Sequence, residues 1–364
     1  MAPSMIIDGR KIGPDGPPYV VAELSGNHNG QIERAFGIIA AAKQAGASAV
    51  KLQTYTADTI TIDSDRPEFV VDLPLWKNRT LHDLYEEAHT PWDWHEALFA
   101  KGKELGITVF SSPFDSTAVD FLESLGAPAY KIASFELVDI PLIEKAAATG
   151  KPVIMSTGMA SLGEIGDAVN AARGAGCREL ALLHCVSAYP TPFDQANLAN
   201  ISVLAERFDV PVGLSDHTMG TVVPVAATAL GAVIIEKHVT LSRADGGVDS
   251  AFSLEPDELK QLVDDVAIAA ATGAGPRFGA KKAEAGSLNY RRSLYVVADI
   301  EAGECFTESN IRSIRPGFGL PPKHLKSVLG KTASRALKRG EPLAADMIRD
   351  DIGNVDSSRR SNQS

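Results

Sequence analysis

The chain is poor in the features that mark secreted and membrane proteins. Its three cysteines, Cys177, Cys185 and Cys305, are too few and too scattered for a disulfide framework or a thiolate zinc site. No apolar run approaches the length of a membrane span, and residues 1–4 show no basic-then-apolar export pattern. We therefore expect a protein of a reducing, cytoplasmic compartment.

The chain also lacks an excess of basic residues. Its net charge is −11, and no stripe of basic residues interleaved with aromatic residues is present. This balance argues against nucleic acid as a partner. An anionic substrate would need a locally positive pocket on this acidic protein, and Lys51 and Lys131 are the candidates to form it.

What the sequence does contain is a repeating order of short apolar runs and helical segments. Runs that are apolar on both faces and end in Gly or Pro turns are typical of buried parallel strands. Eight such units within about 290 residues favour a (β/α)8 barrel over a doubly wound sheet. The predicted strands are residues 19–24, 49–53, 108–111, 129–133, 153–156, 180–185, 212–214 and 234–238. The predicted helices are residues 32–45, 92–105, 116–125, 141–148, 162–175, 198–208, 221–230 and 256–271.

At 364 residues the chain exceeds a typical single domain, so one large and one small unit are expected. The barrel is predicted over residues 1–272. Residues 273–289 break the pattern with Gly, Ala, Lys and Pro, and we interpret them as a linker. Residues 290–350 predict a small β-rich module with tight turns, and the polar stretch 351–364 is predicted to be disordered.

Two of the predicted strands end in histidine. His217 and His238 close the seventh and eighth runs, so a barrel would bring both imidazoles to one rim. One strand-end histidine is more often hydrogen-bonded than metal-bound, but two on successive strands favour a metal site. Water and substrate oxygens would complete an open octahedral site, which suits Mn²⁺ or Mg²⁺. Asp216 either orients a ligand imidazole or caps the next helix.

Lysine, glutamate and serine side chains fall at the same predicted rim. A lysine inside an apolar strand must reach solvent or meet an anion, and Lys51 and Lys131 together favour a shared anion site. Glu23, at the end of the first strand, is either a general acid or base or an ion-pair partner of Lys51. Directional donors for a phosphate are available from the hydroxyls of Ser112, Ser134 and Ser156.

Nine segments occur along the chain in a specific order and spacing: AELSGNHNG, VKLQT, SSPFD, YKIAS, STGM, LLHC with YPTP, GLSDHT, EKH and, in the terminal module, RPG. Together they resemble the sialic acid synthase family, whose members condense phosphoenolpyruvate with an amino sugar. The AELSGNH opening, the insertion LWKNRTLHDLYEEAHTPWDWH and the VDSAFSL segment resemble the pseudaminic acid branch. The resemblance implies a (β/α)8 barrel followed by a small antifreeze-like (SAF) domain.

The resemblance also implies a role for each candidate residue. Phosphoenolpyruvate would be bound by Lys51, Ser112, Lys131, Ser134 and Ser156. A divalent metal, Mn²⁺ with Mg²⁺ or Co²⁺ as alternatives, would be held by His217 and His238. The sugar would face Gln53, Tyr189, Asp249 and the catalytic Glu23. Arg315 of the terminal module would reach the barrel of a partner subunit in a domain-swapped homodimer.

The implied reaction joins phosphoenolpyruvate to 2,4-diacetamido-2,4,6-trideoxy-L-altrose and gives pseudaminic acid and phosphate. The alternative within the family is an N-acetylneuraminate or legionaminate synthase, which uses a sugar of the N-acetylmannosamine type. Outside the family, one rival is a lysine-dependent aldolase with Lys131 as the imine former. Another is a non-enzymatic sugar-binding or ice-binding protein, in which the strand-end lysines and histidines have no role.

Overall fold

The computed structural model describes residues 3–72, 75–272 and 278–349. The chain divides into two units, Met1–Ala274 and Gly275–Ser364. The predicted disordered stretch 351–364 and the first part of the predicted linker, residues 273–277, lie outside the described residues. None of the described helices is both long and apolar enough to cross a membrane.

Ten strands are found among the described residues of the first unit. A hairpin of β1 (Met5–Ile7) and β2 (Arg10–Ile12) comes first. The other eight strands are β3 (Tyr19–Glu23), β4 (Ala49–Thr54), β5 (Thr108–Pro113), β6 (Tyr130–Ile132), β7 (Val153–Ser156), β8 (Leu180–Cys185), β9 (Val212–Asp216) and β10 (Ile234–His238). They are all parallel and close into a barrel in the order β10-β3-β4-β5-β6-β7-β8-β9. The prediction of a (β/α)8 barrel is confirmed.

Helices follow the strands and pack around the barrel. They are α1 (Ile32–Ala45), α2 (Ala57–Ile60), α3 (Leu81–Ala88), α4 (His95–Leu105), α5 (Ser116–Ser124), α6 (Ile140–Ala148), α7 (Leu162–Gly174), α8 (Asn200–Phe208), α9 (Val222–Ala229) and α10 (Pro256–Thr272). Their apolar faces and the outward side chains of the strands form the main core. The long segment between β4 and α4 carries α2, α3 and short 3-10 turns, and its path crosses the carboxyl ends of the strands.

The interior of the barrel is filled at its amino end and polar at its carboxyl end. Met5 and Ile7 of the hairpin are buried in a cluster with Phe110 and other inward side chains, which closes the bottom. Between β9 and β10 the backbones come unusually close. A Cβ at Gly213 would lie 2.3 Å from the Ile234 carbonyl oxygen, so only glycine fits there. This contact sets the approach of the two strands that end in histidine.

The second unit is a set of short antiparallel pairs. Its strands are β11 (Ser293–Val296), β12 (Ile311–Ile314), β13 (Thr332–Ala333) and β14 (Ile348–Arg349), and its one described α-helix is α11 (Leu325–Val328). A separate apolar cluster around Phe306 and Leu337 forms its core. Part of the predicted linker is regular, because Lys282–Tyr290 forms 3-10 helix, with the Glu284 carboxylate accepting the Lys281 N–H at 2.7 Å.

Candidate active site at the carboxyl ends of the barrel strands

Four buried charges meet inside the barrel. Lys51 Nζ lies 3.1 Å from Glu23 Oε2 and 3.0 Å from Glu236 Oε1, and Lys131 Nζ lies 3.4 Å from the same Glu236 oxygen. Each of the four residues is at most 4% exposed. The ion pair considered for Glu23 and Lys51 is therefore present. Glu236, which joins the two lysines, is a site residue that the sequence analysis did not single out.

The charges in this cluster shift one another's pKa values. Burial raises the pKa of Glu23 to about 7, although Lys51 opposes the shift. Burial would also raise the pKa of Glu236, but Lys131 and Lys51 outweigh it and hold that pKa well below its usual range. At neutral pH Glu236 is thus a fixed anion between two ammonium groups. Glu23 is poised to take or give a proton, as a general acid or base must be.

Burial also acts on the two lysines, with opposite outcomes. It lowers the pKa of Lys131 below its ordinary value despite the nearby Glu236. For Lys51, the charges of Glu23 and Glu236 outweigh burial and raise the pKa. Lys51 therefore stays a cation, whereas Lys131 has less compensation and gains more from an added anion. The cluster is able to accept a charged phosphate or carboxylate.

Three serine hydroxyls lie in or beside this anion pocket. The Oγ atoms of Ser112 and Ser156 are buried and have no hydrogen-bond partner among the described residues. Ser134 Oγ accepts the Gly158 N–H at 3.1 Å. Buried hydroxyls without partners are costly unless a ligand satisfies them. The orphaned hydroxyls therefore support the prediction that this pocket binds a phosphorylated substrate.

The two histidines are neighbours, as the strand order requires. The ring centroids of His217 and His238 are 5.3 Å apart. His217 Nδ1 lies 3.1 Å from the Val186 carbonyl oxygen, which only accepts, so Nδ1 carries a proton and the neutral form of the ring has its lone pair on Nε2. His238 Nδ1 is buried without a hydrogen-bond partner in the described chain. Burial and the charge of His217 lower the pKa of His238 well below its ordinary value, so this imidazole is neutral.

Two features suit a two-histidine metal site: the carbonyl that orients His217 and the unsatisfied nitrogen of the neutral His238 ring. Burial would lower the pKa of His217, but the charge of Cys185 outweighs it and raises that pKa above its ordinary value, so a metal competes with a proton for this ring. The described residues contain no group of three or more His, Cys, Asp or Glu side chains arranged to hold a metal. The residues present therefore fit a metal only if water and substrate oxygens complete its coordination, as predicted. Cys185 Sγ lies 3.9 Å from His217 Nδ1, and the charge of His217 outweighs burial and lowers the thiol pKa to about 7.

Asp216 does neither of the things considered for it. Its carboxylate accepts hydrogen bonds from the Thr218 N–H and hydroxyl and forms a buried ion pair with Lys237. Asp216 does not orient an imidazole, because Asp216 and Lys237 point away from the barrel interior, opposite to His217 and His238. It does not cap the next helix, because the N-cap residue of α9 is Thr221 and Asp216 bonds to Thr218 in the preceding turn. Because side chains alternate along a strand, this pair joins the ends of β9 and β10 from behind the two histidines.

The predicted sugar-facing residues lie on the opposite side of Glu23 from the lysine cluster. Gln53 Nε2 donates to Glu23 Oε1 at 2.8 Å and to Ser25 Oγ at 3.2 Å. Asp249 accepts the Ser25 hydroxyl, and its Oδ2 lies 3.8 Å from His238 Nδ1. The Tyr189 ring is centred 4.4 Å from that of His217. Gln53, Tyr189 and Asp249 are thus beside the histidine pair and Glu23.

Arg315 was predicted to serve the site, and Glu136 was not. Arg315 is exposed and directly follows β12 of the second unit, and its predicted role stays a prediction. Glu136, which sequence reasoning missed, has a buried Oε2 without a partner in the described chain. Burial raises its pKa to about 7, against the opposing charge of Lys131. Its position two residues after Ser134, in the same loop, was the available signal.

The chain is similar to known proteins over most of its length. Residues 38–276 match the NeuB family, and residues 291–349 match the SAF domain. The chain is 45% identical to a pseudaminic acid synthase from Helicobacter pylori over 91% of this chain and 98% of that protein. It is 37% identical to an N,N'-diacetyllegionaminic acid synthase from Campylobacter jejuni over 88% of this chain and 97% of that protein.

Solved structures agree with the sequence matches. An N-acetylneuraminic acid synthetase from Leptospira borgpetersenii, crystallised with citrate, is similar with a TM-score of 0.72 and 32% identity. The match covers 80% of this chain and 97% of that one. The small module identified from its turns and short strands thus corresponds to the SAF match, and the predicted antifreeze-like domain is confirmed.

Proposed function

The chain belongs to the NeuB family, and from that premise we propose that it is a pseudaminic acid synthase. It condenses phosphoenolpyruvate with 2,4-diacetamido-2,4,6-trideoxy-L-altrose and water to give pseudaminic acid and phosphate. The observation that carries the reaction is the anion pocket of Lys51 and Lys131 with two unpartnered serine hydroxyls, placed at the same end of the barrel as the adjacent rings of His217 and His238. The greater similarity to a pseudaminic than to a legionaminic acid synthase supports the choice of sugar.

Phosphoenolpyruvate is held by charge and by hydroxyl donors. Lys51 and Lys131 compensate its phosphate and carboxylate, while Ser112, Ser134 and Ser156 give directional hydrogen bonds. The lysines act by position, and no imine with Lys131 is required. C3 of phosphoenolpyruvate attacks the aldehyde carbon of the open-chain sugar, and water adds at C2. The tetrahedral adduct then loses phosphate with its bridging oxygen.

We assign the proton transfers of this reaction to Glu23. The aldehyde oxygen gains a proton when the carbon–carbon bond forms, and the water that adds at C2 loses one. A carboxyl group with a pKa of about 7 serves either transfer at neutral pH. The Gln53 amide fixes the orientation of Glu23 by donating to Oε1. We assign Gln53, Tyr189 and Asp249 to the sugar because they surround Glu23 and the histidines.

A divalent metal, with Mn²⁺ the first choice, is part of the proposal. His217 and His238 would hold it, and when bound it polarises the sugar aldehyde as a Lewis acid. The unsatisfied Nδ1 of His238 and the carbonyl-oriented ring of His217 support this assignment. We further propose a cytoplasmic homodimer in which Arg315 of one subunit serves the site of the other.

The test is steady-state turnover of the purified protein with phosphoenolpyruvate and a set of acetamido sugars, followed by phosphate release. We expect a far higher kcat/KM for 2,4-diacetamido-2,4,6-trideoxy-L-altrose than for N-acetylmannosamine, because mispaired polar groups in a pocket cost orders of magnitude. Equal or better turnover of N-acetylmannosamine would overturn the sugar assignment and favour the neuraminate alternative. No phosphate release with any of the sugars would overturn the synthase assignment itself.

A further inference from the structure

Trp76 connects two distant loops above the carboxyl ends of the strands. It lies in the long segment between β4 and β5, and its indole Nε1 donates to the Val248 carbonyl oxygen at 2.9 Å. Val248 immediately precedes Asp249, which we assigned to the sugar. The indole ring is centred 5.7 Å from the ring of Tyr189. Trp76 therefore touches both the loop that carries Asp249 and the aromatic residue that lies against His217.

Three aromatic rings form a continuous wall on one side of the histidine pair. Tyr189 lies 4.4 Å from His217 and 5.4 Å from Phe252, and Phe252 lies 5.0 Å from His238, measured between ring centroids. Phe252 is only 2% exposed, whereas Trp76 and Tyr189 are half-buried. The accessible part of this wall is thus formed by Trp76 and Tyr189, with Trp76 farther from the histidines.

The position of the wall relates to what distinguishes the two candidate sugars. A sugar whose aldehyde sits at the histidine pair extends its remaining carbons away from that pair. The 6-deoxy sugar carries a methyl group and a second acetamido group where N-acetylmannosamine carries hydroxyls. An aromatic face stabilises methyl groups by burial but leaves a hydroxyl without its hydrogen bonds.

We propose that Trp76 is a specificity-determining residue for the proposed reaction, packing against the methyl or acetamido end of the sugar. The inference rests on the proposed function and adds to it a residue outside the assigned set. The hydrogen bond to Val248 gives Trp76 a second task, because it holds the loop that positions Asp249. Two substitutions separate the packing against the sugar from the hydrogen bond to Val248. Trp76→Phe keeps an aromatic ring and loses the N–H, whereas Trp76→Ala loses both.

The experiment compares kcat/KM for the 6-deoxy diacetamido sugar and for N-acetylmannosamine in the wild type, Trp76→Ala and Trp76→Phe. We expect Trp76→Ala to lose about 10-fold to 100-fold in kcat/KM with the 6-deoxy sugar, mostly through KM, because an apolar contact in a pocket has this value. The value for N-acetylmannosamine should fall only by the factor that Trp76→Phe also shows, because that factor reports the lost hydrogen bond to Val248. Trp76→Phe should keep most of the preference between the sugars.

Trp92 offers a matched control. Its indole Nε1 also donates to a carbonyl oxygen, that of Tyr55 at 3.1 Å, and its ring stacks on Phe121 at 4.6 Å, away from the histidines. Trp92→Ala and Trp92→Phe should leave the ratio of the two kcat/KM values unchanged. Thermal unfolding of every variant shows whether the fold is retained, and Trp76→Leu replaces Trp76→Ala if the latter fails to fold.

The outcomes separate this inference from the function on which it rests. A wild type that turns over the 6-deoxy sugar, with a Trp76 variant that is folded and has an unchanged ratio, would overturn the role of Trp76 alone. Equal loss with both sugars would do the same, since it would mark Trp76 as a purely structural residue. A wild type without turnover of any sugar would contradict the proposed function instead.

Discussion

Glu236 offers the sharpest test of the buried charge cluster, through the substitution Glu236→Gln. The change keeps the shape of the side chain and removes the anion that lies 3.0 Å from Lys51 Nζ and 3.4 Å from Lys131 Nζ. Breaking a fully buried ion pair on one side costs about 3–5 kcal/mol, because an uncompensated charge remains. For a unit of this size each kcal/mol lowers Tm by about 2–4 °C, so we expect a fall of roughly 6–20 °C.

Ligand binding should repair this defect. In Glu236→Gln the two ammonium groups lose the anion that they share, so phosphoenolpyruvate gains an additional electrostatic role. Thermal unfolding with increasing phosphoenolpyruvate should show a larger rise of Tm in the variant than in the wild type. Glu104→Gln, which removes an exposed ion pair with Lys101, is the control and should change Tm little. A Glu236→Gln protein as stable as the wild type, or one without the larger response to ligand, would refute the reasoning.

Three further predictions concern other parts of the site. Substituting His217 or His238 by Ala should abolish turnover with little loss of Tm, and chelator should inactivate the wild type until Mn²⁺ is returned; full activity of metal-free enzyme would contradict the metal site. Inactive Arg315→Ala mixed with inactive His238→Ala should regain partial activity through hybrid dimers, and none should return if the module acts within its own subunit, provided that another probe shows subunit exchange. Burial raises the pKa of Glu136 to about 7, so its stabilising contribution is complete below the unfolded value of about 4.5 and is lost as pH rises through 7. Glu136→Gln should therefore lose less stability than the wild type between about pH 5 and pH 8, and an unchanged pH profile would show that the carboxyl is ionised throughout.

The barrel was predictable because its information is local. Parallel strands that are buried on both faces must be apolar along their length, and Gly and Pro mark where each one ends. The same logic placed both histidines, both lysines and Glu23 at one rim. Glu236 was within reach of this logic, since it is two residues before His238 and so shares its face of β10. The alternation rule applied to one histidine would have added it.

The remaining site residues depend on the paths of loops, which no periodicity encodes. Trp76 meets Val248 across 172 positions of sequence, and the contact depends on how the insertion after β4 folds over the rim. Lys237 shows that a residue type at the end of a strand can also mislead. It ends an apolar run as Lys51 does, but it faces outward and pairs with Asp216, so a strand lysine alone does not indicate a substrate. The 3-10 helix at Lys282–Tyr290 was missed because its composition is that of a linker.

The most direct test of the synthase assignment uses phosphoenolpyruvate labelled with heavy oxygen at the bridge between C2 and phosphorus. The wild-type protein is incubated with this substrate and 2,4-diacetamido-2,4,6-trideoxy-L-altrose, and both products are weighed by mass spectrometry. We expect one unlabelled pseudaminic acid for each labelled inorganic phosphate, because the proposed mechanism breaks the C–O bond. Label retained in the sugar acid, or phosphate released without a new sugar acid, would contradict the account.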